Sequence, residues 1–81
     1  MVYLLLADGF EEIEAIGTLD ILRRANIHVL TVAIEDDYIV KSARNVKVVA
    51  DVTLSELSHD EIVDSDAVSY THLTLPTILR V

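Results

Sequence analysis

One helical row in this chain carries a single ionisable group. Glu14, Gly17, Thr18, Ile21 and Ala25 recur at i, i+3, i+4, i+7 and i+11, and Glu14 is the only charged member. Ala15, Leu19 and Leu22 fall on the adjoining face, which the spacing assigns to the core. A carboxyl group at the margin of an apolar face, beyond the C-terminal end of a strand, is expected to lose hydration and hold its proton more tightly. Such a group suits a proton donor or a hydrogen-bonding partner to a nucleophile; the plainer alternative is a solvated first-turn acid favoured by the helix dipole. Asp8, Glu11, Glu12 and Glu14 together present hard oxygen ligands, although acids at a helix start ordinarily serve the dipole. His28 falls within a strand and His59 in an acidic loop, and no Ser–His–Asp spacing emerges. With two glycines the chain has neither a GxGxxG nor a Walker loop. Arg44, in a turn before Val46, is placed to reach a carboxylate across an interface.

These residues need elements to hold them. Val2 to Ala7 is a continuous apolar run ended by Asp8-Gly9, the pattern of a strand covered on both faces. Good helix formers follow from Glu11 or Glu12 to Ala25, with acids at the positive end of the dipole. Asp20 precedes Arg23 and Arg24 by three and four residues, a favourable order. Asn26 suits the left-handed position after the helix, with Ile27 folding back behind it. His28 to Ile34 reads as a second strand, which completes a βαβ unit. Tyr38 to Lys41 and Val46 to Ala50 read as a ribbon around the turn Ser42 to Asn45. Leu54 to Leu57 reads as a helical turn capped by Thr53 or Ser55, Ser58 to Asp66 as an exposed acidic segment, and a further strand is expected from Asp66-Ala67. Ile13 and Ile16 lie away from the core face, which implies a second packing surface.

Composition narrows the class. The chain has 81 residues, six basic and fourteen acidic side chains, a net charge of −8 and no cysteine. One small domain of this size is marginal without a staple or partner, and neither a disulfide nor a thiolate metal site is available to it. The acidity argues against a nucleic-acid binder, and no apolar run approaches a membrane span. A cytoplasmic α/β chain is the expectation.

The last fourteen residues, 68–81, change character: Val68 to Val81 contains no acid. Val68-Ser69-Tyr70-Thr71-His72-Leu73-Thr74-Leu75-Pro76-Thr77 looks like the translation of a transposase-type sequencing adapter, followed by a short index at Ile78 to Arg80. The other reading is a natural strand, loop and short helix. On the adapter reading the native part is residues 1–67, with a net charge of −9.

Leu6-Ala7-Asp8-Gly9-Phe10-Glu11-Glu12-Ile13-Glu14-Ala15, followed by Leu19-Asp20-Ile21-Leu22-Arg23-Arg24-Ala25, strongly resembles the opening of the ThiJ/PfpI superfamily, in its parkinsonism-associated deglycase-like branch. The turn Ser42 to Val46, the segment Val48 to Asp51 and Asp64 to Ala67 are also similar, so the resemblance covers residues 2–67. It implies a flavodoxin-like doubly wound α/β sheet of the class I glutamine amidotransferase-like kind, here truncated after the first strands and helix. It further implies a homodimer and a reactive cysteine on a strand-to-helix elbow, with a histidine nearby in many members.

On this resemblance Glu14 takes the place of the glutamate that hydrogen-bonds the cysteine, and Gly9, Glu11 and Glu12 lie near the pocket. Ile13, Ile16 and Arg44 fall where the family forms its dimer interface. The implied activity is that of a glyoxalase or deglycase acting on a small-molecule carbonyl substrate, with no cofactor and no metal. A non-catalytic oxidative-stress sensor or chaperone is the alternative, and relatives are often labelled thiazole monophosphate biosynthesis proteins. A receiver-like metal-binding domain using Asp8 is a third reading. Thr18 replaces a common proline and Asn26 a common glycine. The chain ends before the cysteine elbow, so by itself it is expected to be inactive.

Overall fold

Five successive apolar residues, Val2–Leu6, form strand β1, buried along nearly its whole length. The computed structural model describes residues 1–57, 67–72 and 75–80. The acidic segment 58–66, with His59, lies outside the described residues. A helix, α1 (Glu12–Arg24), leaves the C-terminal end of β1 and returns the chain to β2 (Val29–Ala33). Strands β1 and β2 pair in parallel from Val2↔Val29 to Leu6↔Ala33.

The helix ends as its sequence implies. Asn26 adopts φ 61°, Ile27 N–H donates to Leu22 O at 3.0 Å and Asn26 N–H to Arg23 O at 3.0 Å. Those two bonds are a Schellman closure, with asparagine in the left-handed position that glycine otherwise takes. Ala15 is fully buried, and Leu19 and Leu22 pack against the same core as Leu4, Leu6 and Phe10. The row carrying Glu14 does not continue that face: Ile21 is 67% exposed and Ala25 is also exposed. Among the described residues one helix covers the sheet, and its far side meets solvent.

After β2 the chain forms a separate two-stranded ribbon, β3 (Ile39–Lys41) and β4 (Lys47–Val49), paired from Ile39↔Val49 to Lys41↔Lys47. Asn45, at φ 65°, turns the ribbon. A short strand β5 (Val52–Thr53) then joins the outer edge of β2, and a 3-10 turn follows over Leu54–Glu56 with Thr53 as its cap residue. Strand β6 (Ala67–His72) pairs in parallel with the other edge of β1, and β7 (Leu75–Arg80) pairs antiparallel with β6. The strand order is therefore β5-β2-β1-β6-β7. The expected strand after Asp66 begins at Ala67, and β6 and β7 complete a five-stranded mixed sheet.

Strand β5 is too short to cover β2, and side chains finish the edge. Arg23 Nη2 donates to Val29 O at 3.1 Å and to Asp51 Oδ2 at 3.1 Å. Asp51 Oδ2 accepts from Thr31 N at 2.9 Å and from Thr31 Oγ1 at 3.0 Å. A strand edge left open is a template for another chain, and these groups occupy it. Thr31 is 4% exposed, so Asp51→Ala leaves its amide without that partner. The expected loss is about 1–3 kcal/mol in urea unfolding, with Asp51→Asn losing less because its amide oxygen still accepts. A loss below about 0.5 kcal/mol for Asp51→Ala would contradict this account of the edge.

Candidate functional site

Strand order reverses beside β1: α1 carries the chain to β2 on one side, while β6 lies on the other. In open α/β sheets ligands bind beyond the carboxyl ends of the strands at such a reversal. The loop after β1 occupies that place. Gly9 takes φ 89°, a conformation that side-chain-bearing residues rarely adopt. Its N–H donates to Lys41 O at 2.7 Å, and Phe10 O accepts from Ala43 N at 2.8 Å. The loop is thereby fastened to the ribbon, and Phe10, with no exposed surface, plugs the joint.

Each acid singled out in the sequence has a separate task. Glu11 is the N-cap of α1, its carboxylate accepting from Glu14 N at 2.9 Å and Ile13 N at 3.3 Å. Asp8 Oδ1 accepts from Lys41 N at 3.1 Å. Glu12 Oε2 accepts from Ser42 Oγ at 2.7 Å and from Arg44 N at 3.0 Å. Glu14 stands half-buried in the first helical turn, at the carboxyl edge of the sheet. Among the described residues no three His, Asp or Glu side chains gather as metal ligands. The metal-binding reading of Asp8 and its neighbours therefore finds no cluster to rest on. His28, expected within the second strand, lies exposed one residue before β2 and offers its carbonyl to Val2 N at 3.0 Å.

Ile13 and Ile16 are 82% and 39% exposed. With Phe10, Gly17, Val46 and Val48 they line an open apolar groove of about 360 Å³ between α1 and the ribbon. Arg44 lies in the turn at the ribbon's tip, where its N–H meets Glu12. The structure thus brings the three expected interface residues to one side of the molecule. Among the described residues no helix is long and apolar enough to cross a membrane.

Three carboxylates titrate below their ordinary range. The Ser42 hydroxyl holds Glu12 down, with the Arg44 N–H and charge adding to it. Burial pushes Asp51 up, but the Thr31 N–H and hydroxyl and the Arg23 guanidinium together outweigh it, and the net shift is downward. The Tyr38 hydroxyl lowers Glu56, and the same bond raises Tyr38. Folded values below the unfolded ones mean stability that is fully present above the unfolded carboxylate range of about pH 4. It is lost as pH falls through the depressed values. The midpoint of urea unfolding is expected to stay level from neutral pH to about 5 and to drop below 4. A midpoint that rises on acidification would contradict these assignments.

Sequence reasoning set Asp20 against both Arg23 and Arg24; Arg24 Nε does meet Asp20 Oδ1 at 3.0 Å, but Arg23 turns to Asp51, and neither Ser42 nor Asp51 was singled out as a partner. The detectable signal was slight: a serine opening a turn that also contains Arg44, and an aspartate just before a two-residue strand.

Residues 1–68 match the model of the DJ-1/PfpI family. Protein DJ-1 homolog B of Arabidopsis thaliana is 44% identical over 61 residues, which is 72% of this chain and 14% of that protein. The Drosophila melanogaster protein dj-1beta is 37% identical over 57 residues, 70% of this chain and 30% of that protein. A cysteine-to-alanine mutant of a DJ-1 superfamily protein from Salmonella typhimurium superimposes with a TM-score of 0.66 at 56% identity, over 68% of this chain and 30% of its own. Oxidized Toxoplasma gondii DJ-1 superimposes with a TM-score of 0.74 at 34% identity, over 86% of this chain and 36% of its own. The chain therefore spans less than a third of these curated relatives. Its parallel sheet and helix are the opening part of their flavodoxin-like fold. With the βαβ unit, the Gly9 loop and the family match in agreement, this chain belongs to the DJ-1/PfpI family.

Proposed function

We propose that residues 1–67 are the N-terminal, site-positioning part of a longer cysteine-dependent enzyme that acts on reactive dicarbonyls or glycated groups. In that protein a cysteine thiolate attacks the aldehyde carbon, and the Glu14 carboxyl hydrogen-bonds the sulfur and assists proton transfer. The observation that carries this reading is the position of Glu14, half-buried in the first turn of α1 at the carboxyl edge of the sheet, where the strand order reverses. The 81-residue chain has no cysteine and is expected to be inactive by itself. Residues 68–81 are proposed to be adapter readthrough; an independently sequenced genomic copy encoding the same tail would end that part of the proposal.

The experiment is turnover of methylglyoxal by the uninterrupted protein. Wild type is expected to turn over, and Glu14→Ala to lose roughly 10²–10⁴-fold in kcat/KM. No turnover by wild type would overturn the enzyme reading. A redox-sensor role is the second reading, and the oxidized state of the Toxoplasma gondii relative favours keeping it. There the Glu14 carboxyl would hydrogen-bond an oxidised cysteine sulfur. We also propose that the parent is a homodimer through the groove lined by Ile13 and Ile16, with Arg44 contributing from the ribbon's turn. Ile13→Glu in the parent is expected to give monomers by sedimentation, and an unchanged dimer would place the interface elsewhere.

A further inference from the structure

We propose that Glu12 is a positioning residue, which latches the β3–β4 ribbon onto the first turn of α1 and thereby fixes where Glu14 stands. The functional meaning of this latch rests on the reading of Glu14 given above; its physical existence does not.

Glu12 is the first residue of the helix, and Glu11 already caps the amides of that turn. The Ile13 and Glu14 amides therefore do not need the Glu12 carboxylate. It reaches instead across about thirty residues of sequence, and a single oxygen, Oε2, accepts from both Ser42 Oγ and Arg44 N. Ser42 is 4% exposed. Its hydroxyl donates to Glu12 and accepts from Val46 N at 2.9 Å, so it relays the carboxylate into the ribbon's own turn. Removing the carboxylate leaves a nearly buried hydroxyl and the Arg44 amide without that acceptor.

The other ties between ribbon and loop all lie before the helix. Gly9 N to Lys41 O, Lys41 N to Asp8 Oδ1 and Ala43 N to Phe10 O join the ribbon to residues 8–10. Glu12 ties α1 itself to the ribbon's turn, two residues from Glu14. A movement of the ribbon therefore reaches Glu14 through a short path: turn, Ser42, Glu12 and two residues of helical backbone. The groove that lies between Ile13, Ile16 and Val46 borders the same latch. Anything seated in that groove would bear on both sides of it.

The test uses the 81-residue chain, with the ¹³C carboxyl resonance of Glu14 and amide hydrogen exchange as readouts. In Glu12→Ala the Glu14 resonance is expected to move and protection of the Arg44 and Val46 amides to fall about tenfold or more. Leu4 and Val32 amides are expected to keep their protection. Glu12→Gln, whose amide oxygen still accepts, is expected to restore the Glu14 resonance and most of the protection. Ser42→Ala is expected to reproduce the Glu12→Ala pattern in part, and the double variant to add little to Glu12→Ala. Two results would overturn the proposal: an unmoved Glu14 resonance in Glu12→Ala, or additive effects of the two substitutions. If the Glu12→Ala chain fails to fold, the Ser42→Ala and Glu12→Gln chains decide by the same readouts. Loss of methylglyoxal turnover in the parent would bear on the role of Glu14, and not on the latch.

Discussion

Phe10→Ala is expected to cost about 3–5 kcal/mol in urea unfolding, the range for deleting a fully buried phenylalanine. Phe10 has no exposed surface and belongs to the main core cluster. It also stands where three parts meet: Phe10 N–H donates to Ala7 O, its carbonyl accepts from Ala43 N, and it bridges to Ser42. The ring thus packs the loop, the ribbon and the helix against one another, and no neighbour can collapse into its space without moving all three. A chain of this length has a total stability of roughly 4–12 kcal/mol, so the substitution removes a large part of it. Ile13→Ala, four-fifths exposed, is the control and is expected to stay within about 0.5 kcal/mol of wild type in this chain. A Phe10→Ala loss below about 1 kcal/mol would show that the joint is not packed as described.

A chain ended at Ala67 is expected to show no cooperative thermal transition as a monomer. Strand β1 is paired on both edges, and four of its five register partners in β6 are Val68 to Thr71. Their removal opens the edge of Tyr3 to Leu6, the centre of the sheet. Unpaired peptide groups beside buried apolar residues cannot be left dry, and the expected outcomes are an unfolded chain or association through that edge. The partnership of β1 and β6 is made by main chain, which many sequences of strand character can supply. That accounts for how a tail so unlike the preceding segment in composition fills a position beside β1. Circular dichroism melting with sedimentation on residues 1–67 reads the result. A cooperative melt of a monomer would contradict the role given to β6.

The elements that position Glu14 were legible in the sequence because their signals are local. The apolar run Val2 to Leu6, the row of Ala15, Leu19 and Leu22, and Asn26 in its left-handed turn each express a rule that spans a few residues. Ile13 and Ile16 stood out as apolar residues off the core face, and they do line an open groove. The end of the Glu14 row was harder to place. A hydrophobic row tells which residues share a face, but not how far the neighbouring layer extends, and Ile21 lies beyond it. The polar ties were hidden for a different reason. Arg23 meets Asp51 across 28 residues and Glu12 meets Ser42 across 30. Pairs of that kind follow from the fold and leave no period along the chain. The cysteine proposed as the partner of Glu14 is implied by family resemblance alone, since these 81 residues contain none.

The most direct test of the central claim is a crystal structure of the uninterrupted protein that begins with residues 1–67. The account predicts a cysteine on the turn after a later strand, with its sulfur within hydrogen-bonding distance of the Glu14 carboxyl. A Glu14 carboxyl with no cysteine sulfur in reach would contradict it.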